Sequence, residues 1–254
     1  MTTSKNKKLE KAKKFYNDNQ PYILLQRRIT RAMEKARKGG KKVFLLKNLV
    51  SLKIGDFTLP EPSRMNSLGQ KGKRFDVEGN KTLTKKFRNL SLKGKLSSFF
   101  KFKDIYPAIA KNIGIEEGNE VVALNDHLIL HENDCSDLQP PHIDAPEIST
   151  TDIHGSIHEG HGKGFSGFLS ITKGSLCIYN FSDTYELTGP EIVDLNPGDV
   201  LIVPYGIVHG GNRNTTGERS WKLFTDVNSG STPSSTSQLW AIDGKGWTPI
   251  QPKG

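Results

Sequence analysis

At 254 residues the chain is long enough for one large domain or two small ones, and with 34% hydrophobic residues part of it is expected outside a packed core. Its two cysteines, Cys135 and Cys177, rule out a disulfide framework and a cysteine-rich zinc site, and both read as buried small hydrophobes. The N-terminal Met1–Lys8 stretch lacks the apolar core of a signal peptide, and no run of about 18 apolar residues would give a membrane span. The expectation is an intracellular protein, cytoplasmic or nuclear and not secreted.

The formal net charge of +9 hides an asymmetry. Residues 1–111 hold 29 Lys and Arg against 8 Asp and Glu, a net of +21, while residues 112–254 hold 7 against 19, a net of −12. A basic half of this kind suits a solvated face that aids solubility. It also suits contact with a polyanion, such as nucleic acid or an anionic membrane surface. Charge alone does not choose between these.

Residues 4–18 read as a charged helix that Pro21 interrupts. From Tyr22 to Lys38 the apolar residues Leu25, Ile29, Ala32, Met33 and Ala36 recur at helical spacing, and Gly39-Gly40 ends the pattern. Residues 41–54 read as one or two strands. Residues 60–81, rich in Pro, Gly, Ser and Lys, read as a loop, and residues 82–112 as basic and helical in part.

Beyond about residue 115 the pattern turns to short strands. Residues 120–131 alternate as a strand does. Phe165–Ile171 and Leu176–Phe181 flank Thr172-Lys173-Gly174-Ser175 as in a hairpin, and Glu191–Leu195 and Val200–Val203 flank a second tight turn at Asn196-Pro197-Gly198-Asp199. Ile207–Gly210 and Arg219–Val227 flank a polar connection. The Ser/Thr-rich residues 229–238 read as a surface tail. Strands at this spacing predict an antiparallel sandwich or barrel. The expected division is a basic, partly helical region over 1–114, packed on or beside a β core over 115–228, and a C-terminal tail over 229–254.

Within the β core, His142-Ile143-Asp144 places an imidazole and a carboxylate on one face of a strand, because residues two apart share a face. His209 follows the run Val200–Val203 and the turn Pro204-Tyr205-Gly206, which suits a return strand lying opposite. Two imidazoles and one carboxylate are the ligands that hold a non-haem Fe(II) on one side and leave the other side open. Along Arg219–Val227 the residues Arg219, Trp221 and Leu223 share a face that reads as the inner one. An inward guanidinium demands an anionic partner, and a bidentate carboxylate supplies it.

Together His142-x-Asp144, His209 and Arg219 resemble the signature of the Fe(II)/2-oxoglutarate-dependent oxygenases. The stretch from Pro197-Gly198-Asp199-Val200 through His209 to Arg219 is most similar to the phytanoyl-CoA hydroxylase-like branch. Gly198-x5-Pro204-x-Gly206-x2-His209 also resembles the second cupin motif. The likeness covers about residues 120–228.

It implies a double-stranded β-helix, the cupin-like jelly-roll, as the core of a mainly β protein with added helices. It implies Fe(II) held by His142, Asp144 and His209, with Arg219 pairing the distal carboxylate of 2-oxoglutarate. Succinate and CO2 would be the co-products of a hydroxylation. A hydroxyl such as Ser170 or Tyr179 would add a bond to the co-substrate.

His154, His158 and His161 lie among glycines and read as a loop over the active-site mouth that touches substrate. His154 or His158, with Glu159, joining His209 would also support a cupin-type metal enzyme that does not use 2-oxoglutarate. That alternative leaves His142-x-Asp144 unexplained. His127 and His131 read as structural. A reading from another class is a non-catalytic binding protein, whose barrel positions residues 1–111 on nucleic acid or another polyanion.

Overall fold

The computed structural model describes residues 4–53, 55, 57–60, 66–67, 74–77, 81–113, 121–144, 164–181, 187–229, 236–238, 240–242 and 247–249. Helix α1 (Ser4–Lys38) runs unbroken through Pro21, against the expected interruption. An internal proline costs about 3 kcal/mol. Leu25, Ile29 and Met33, beyond that proline, offset it by burying one helical stripe in the core. Strand β1 (Phe44–Leu46) follows, then β2 (Asn66–Ser67) and β3 (Arg74–Val77). The stretch expected to be a loop thus supplies two short strands. Their specification comes from partners, since β3 pairs with the long β4 (Val121–His131).

Helices α2 (Lys81–Arg88) and α3 (Ile105–Asn112) lie between β3 and β4, joined through single 3-10 turns at 94–96 and 102–104. After β4 come β5 (His142–Asp144), β6 (Gly164–Ser170), β7 (Gly174–Phe181) and β8 (Leu187–Leu195). The series continues with β9 (Val200–Pro204), β10 (His209–Gly211), β11 (Ser220–Ser229) and β12 (Thr236–Gln238). Strands β13 (Trp240–Ile242) and β14 (Trp247–Pro249) pair with each other.

The large sheet has the order β1-β9-β6-β11-β4-β3-β2, and the small one β12-β5-β10-β7-β8. The pairs nest: β7 with β8, β6 with β9, β5 with β10 and β4 with β11, all antiparallel. This is the double-stranded β-helix. Successive strands β6 to β11 change sheet everywhere except at β7–β8. The turns at 172–175 and 196–199 therefore carry the chain between sheets and do not close hairpins. A turn signal fixes a reversal of direction, whereas the hydrogen-bond partner comes from far along the chain.

The large sheet is buried on both faces. One face packs on α1 and α3 through Leu128, Leu130, Phe165, Leu169, Trp221 and Leu223. The other faces the small sheet through Phe168, Leu201, Val203 and Phe224, which meet Leu176, Ile178 and Ile207. Segment 48–50 locks the helical layer to β9. Asp199 Oδ1 accepts from Asn48 N at 2.6 Å, and Gly198 O accepts from Leu49 N and Val50 N. Gly198 has φ +85°, and a Cβ there would lie 2.4 Å from Val50 O. The Ser/Thr-rich stretch expected as a tail contains β12, an edge strand on β5. Among the described residues no helix is long and apolar enough to cross a membrane.

If α1 belongs to this core, Ile29→Ala should lower unfolding free energy by about 2–5 kcal/mol in urea denaturation. A change within about 0.5 kcal/mol would mean that α1 is an appendage.

Candidate metal centre

β5 supplies His142 and Asp144, and the register places His209 of β10 directly opposite His142. All three are buried, at 7%, 6% and 2% exposure. Strands of three residues do not hold a register unaided. Gln139 clamps this one, its N–H donating to Gly211 O at 2.9 Å and its Oε1 accepting from Gly211 N at 2.8 Å. Gly210 permits the approach, since a Cβ there would lie 2.9 Å from Gln139 O.

The same crossing orients the rings. His142 Nδ1 lies 2.9 Å from Pro140 O, and His209 Nδ1 lies 3.0 Å from Ile207 O. A carbonyl only accepts, so each Nδ1 carries the proton and each Nε2 a lone pair. Both Nε2 atoms turn to Asp144: His209 Nε2 is 3.2 Å from Oδ2 and His142 Nε2 is 3.9 Å from Oδ1. The ligand atoms of the three residues lie within 4.8 Å of one another. His209 Nε2 is buried and, despite its proximity to Asp144, out of line for a hydrogen bond.

Lone pairs facing a carboxylate repel unless a cation, a proton or a metal ion, lies between them. Burial pushes the Asp144 carboxyl up, but His209, His142 and the Ser166 hydroxyl outweigh it and hold it well below the usual range. Burial likewise opposes charge on His209, and the Asp144 charge wins and raises its pKa. Ser166 Oγ donates to Asp144 Oδ2 at 2.8 Å and fixes the carboxylate. Two nitrogens and an ionised oxygen on one side fit a first-row divalent ion with open positions opposite.

Aromatic rings wall the space beside this point. Phe168 sets its edge on His209 at 5.7 Å, and Phe224 packs edge-on to Phe168 at 5.2 Å. His127, read from sequence as structural, stacks on Phe224 at 4.5 Å from the inner face of β4. Burial pushes its pKa down to about 4, with Asp144 opposing, so the ring is neutral at neutral pH. His127 and Ile129 are only partly buried, so the interior reaches solvent beside β4.

Arg219 does not line the barrel. It precedes β11 at the surface, its side chain 43% exposed, with Nε donating to Glu132 Oε2 at 3.0 Å. Trp221 and Leu223, which share its face, pack on the helical layer. Lys222 faces inward instead, at 1% exposure, with Nζ 3.2 Å from Ser220 Oγ. A Cβ on Gly174 would lie 3.0 Å from that Nζ, so the small sheet leaves room for the ammonium. Ser170 pairs with Lys222 in register, shares its inward face, and donates from Oγ to Thr172 O at 2.7 Å.

Tyr179 is buried on β7, but alternation puts it on the face away from Leu176 and Ile178. His154, His158 and His161, with Glu159, lie outside the described residues. Cys135 and Cys177 are buried free thiols. The signal that would have found Lys222 is a lysine set among the apolar residues of Trp221-Lys222-Leu223-Phe224.

No family model matches the chain, and no curated protein is similar to it in sequence. Solved structures are similar in fold. The non-heme alpha ketoglutarate dependent epimerase SnoN of nogalamycin biosynthesis aligns with a TM-score of 0.52 at 15% identity, covering 88% of this chain and 90% of its own. HygX from Streptomyces hygroscopicus, solved with nickel, 2-oxoglutarate and hygromycin B, aligns with a TM-score of 0.43 at 13% identity, over 74% of this chain and 82% of its own. An oxidoreductase of the 2OG-Fe(II) oxygenase family from Burkholderia pseudomallei aligns with a TM-score of 0.43 at 11% identity, over 80% and 92%. The likeness to SnoN shows a shared fold, the double-stranded β-helix described above.

Nickel titration by calorimetry tests the ligand set. Asp144→Ala should abolish binding, and Ser166→Ala should weaken it about 10- to 100-fold. Unchanged affinity in Asp144→Ala would exclude this cluster as the metal site.

Proposed function

We propose that the chain is an Fe(II)- and 2-oxoglutarate-dependent oxygenase that hydroxylates an unidentified substrate, releasing succinate and CO2. The observation that carries this reading is the convergence of His142, Asp144 and His209 on one buried point, each imidazole tied back through Nδ1 to a carbonyl. SnoN, which shares the fold, is named as non-haem and α-ketoglutarate-dependent, and that supports the same cofactor pair here. SnoN is also an epimerase, so the outcome of the oxidation rests on the substrate.

In this reading His142, Asp144 and His209 hold iron on one side, and Ser166 keeps the carboxylate aimed at it. The bound metal would supply dioxygen activation, with the 2-oxo acid as the source of two electrons. Phe168 and Phe224 exclude water from the reacting space. Lys222, in place of Arg219, pairs with the distal carboxylate of 2-oxoglutarate, flanked by the hydroxyls of Ser220 and Ser170. Lys222 is buried on the inward face of β11, and an ammonium there is a suitable donor to the far carboxylate of a dicarboxylate co-substrate. The narrower likeness to the phytanoyl-CoA hydroxylase-like branch leans on Arg219 and weakens with it.

The test is anaerobic titration of the apo-protein with Fe(II), then 2-oxoglutarate, read by the visible charge-transfer band of a chelated 2-oxo acid. The wild type should give the band, and His142→Ala should remove it. Lys222→Met should raise the 2-oxoglutarate Kd at least about tenfold, the size of a lost charged hydrogen bond, with Arg219→Ala unchanged. Metal binding without a band would replace this reading with a cupin-type enzyme that does not use 2-oxoglutarate.

A further inference from the structure

Several of the described cations of residues 1–111 are exposed on the helical layer. The helical layer covers the outer face of the large sheet, on the side away from His142, Asp144 and His209. One basic stretch of that layer is Lys93–Lys103, with Lys93, Lys95, Lys101 and Lys103. This stretch is pinned from within, because Leu92, Leu96 and Phe102 are buried in the core. Backbone bonds fix it further: Leu92 N donates to Phe100 O at 3.3 Å, Phe99 N to Leu96 O at 3.2 Å, and Phe102 N to Leu90 O at 2.8 Å. The residues between these anchors point outward. Lys95, Lys101 and Lys103 are exposed, and Phe99 stands 61% exposed among them.

Lys93 and Arg28 meet at one segment, 47–48. Lys93 Nζ bonds Asn48 Oδ1, and Arg28 Nη2 bonds Asn48 O and Lys47 O at 3.0 and 2.8 Å. The 94–96 turn packs against α1, where Arg27 and Arg31 lie one turn apart on either side of Arg28. None of Arg27, Arg31, Lys93, Lys95, Lys101 or Lys103 forms an ion pair with a described residue. Among the described residues the acids on this part of the chain are Glu34 and Asp104, the latter accepting from the Lys101 backbone N–H at 2.7 Å, so cations outnumber them.

We infer that this face binds a single-stranded nucleic acid, with the cations tracking the phosphates and Phe99 stacking on a base. A fixed aromatic ring among cations that form no ion pair with a described residue is the pairing that single strands use. An anionic membrane would meet the charge, but a membrane-lying face must also bury a set of apolar groups. Among the described residues the other exposed large hydrophobics are Tyr22 and Ile192, and Ile192 sits on β8 in the barrel. One ring does not make an apolar face. The inference stands apart from the metal centre and holds with or without oxygenase activity.

Fluorescence anisotropy of the full chain in EDTA, with a labelled oligodeoxythymidylate and an oligouridylate, tests it. Binding should weaken steeply with salt. Phe99→Ala should raise Kd about tenfold, the scale of one lost base stack. Lys95→Glu with Lys101→Glu and Lys103→Glu should raise it further and flatten the salt dependence, while Arg213→Glu on the barrel side leaves it unchanged. Three results would overturn the inference: no binding to either oligonucleotide at low salt, binding indifferent to Phe99→Ala and to the triple reversal, or Phe99-dependent capture by phosphatidylserine vesicles with none by oligonucleotide.

Discussion

The register that sets His209 against His142 is the constraint on which the site depends. Side chains alternate faces along a strand, so a slip of one residue in β10 would turn His209 out of the barrel and leave Asp144 facing one imidazole. Neither short strand enforces this alone. The Gln139 clamp on Gly211, the tight passage past Gly210 and the β10–β7 pairing that sets His209 beside Ile178 fix it together. The clamp also delivers Pro140 O to His142 Nδ1, so one crossing segment sets both strand register and imidazole tautomer. Register and tautomer together aim two nitrogen lone pairs at one carboxylate, which is the electrostatic condition for holding a cation.

His142, Asp144 and His209 were legible in the sequence because their logic is local: residues two apart on a strand, then a histidine on a return strand. The strand stretches of the barrel were legible for the same reason. Which strands pair was not, because β4 meets β11 and β6 meets β9 across long intervals, and a turn signal between neighbours looks the same whether the chain folds back or crosses to another sheet. The face of β11 was misread for a related cause. In a strand buried on both sides, Trp221 and Leu223 look as inward as Phe224, and only the helical layer, built from residues far upstream, decides which face is the barrel. That single ambiguity moved the inward cation from Lys222 to Arg219. α1 passed Pro21 because tertiary burial of Leu25, Ile29 and Met33 outweighs the local penalty that the sequence displays.

The barrel interior holds charges of both signs at separate positions along one wall. Ser166 and Asp226 pair at the Asp144 end of β6 and β11, Phe168 and Phe224 pair in the middle, and Ser170 and Lys222 pair beyond. An apolar ring pair thus separates a carboxylate-bearing end from an ammonium-bearing end. A molecule bearing a metal-chelating group at one end and a carboxylate at the other would match both. The spacing is a property of strand geometry, since same-face neighbours on a strand lie about 7 Å apart.

The two faces of the large sheet divide the chain's electrostatics. Its inner face buries Lys222 and Asp226. Its outer face is covered by helices whose buried sides are apolar and whose outer sides carry the cations. Because Leu96 and Phe102 anchor the basic stretch in the core that also holds Trp221 and Leu223, the two surfaces share one rigid support. A strand gripped on the outer layer would not perturb the ligands by contact, as the whole thickness of the sheet lies between. What the shared core would transmit is position: a polyanion held on the outer layer would sit at a fixed place relative to the inner face of β4, where His127 stacks on Phe224.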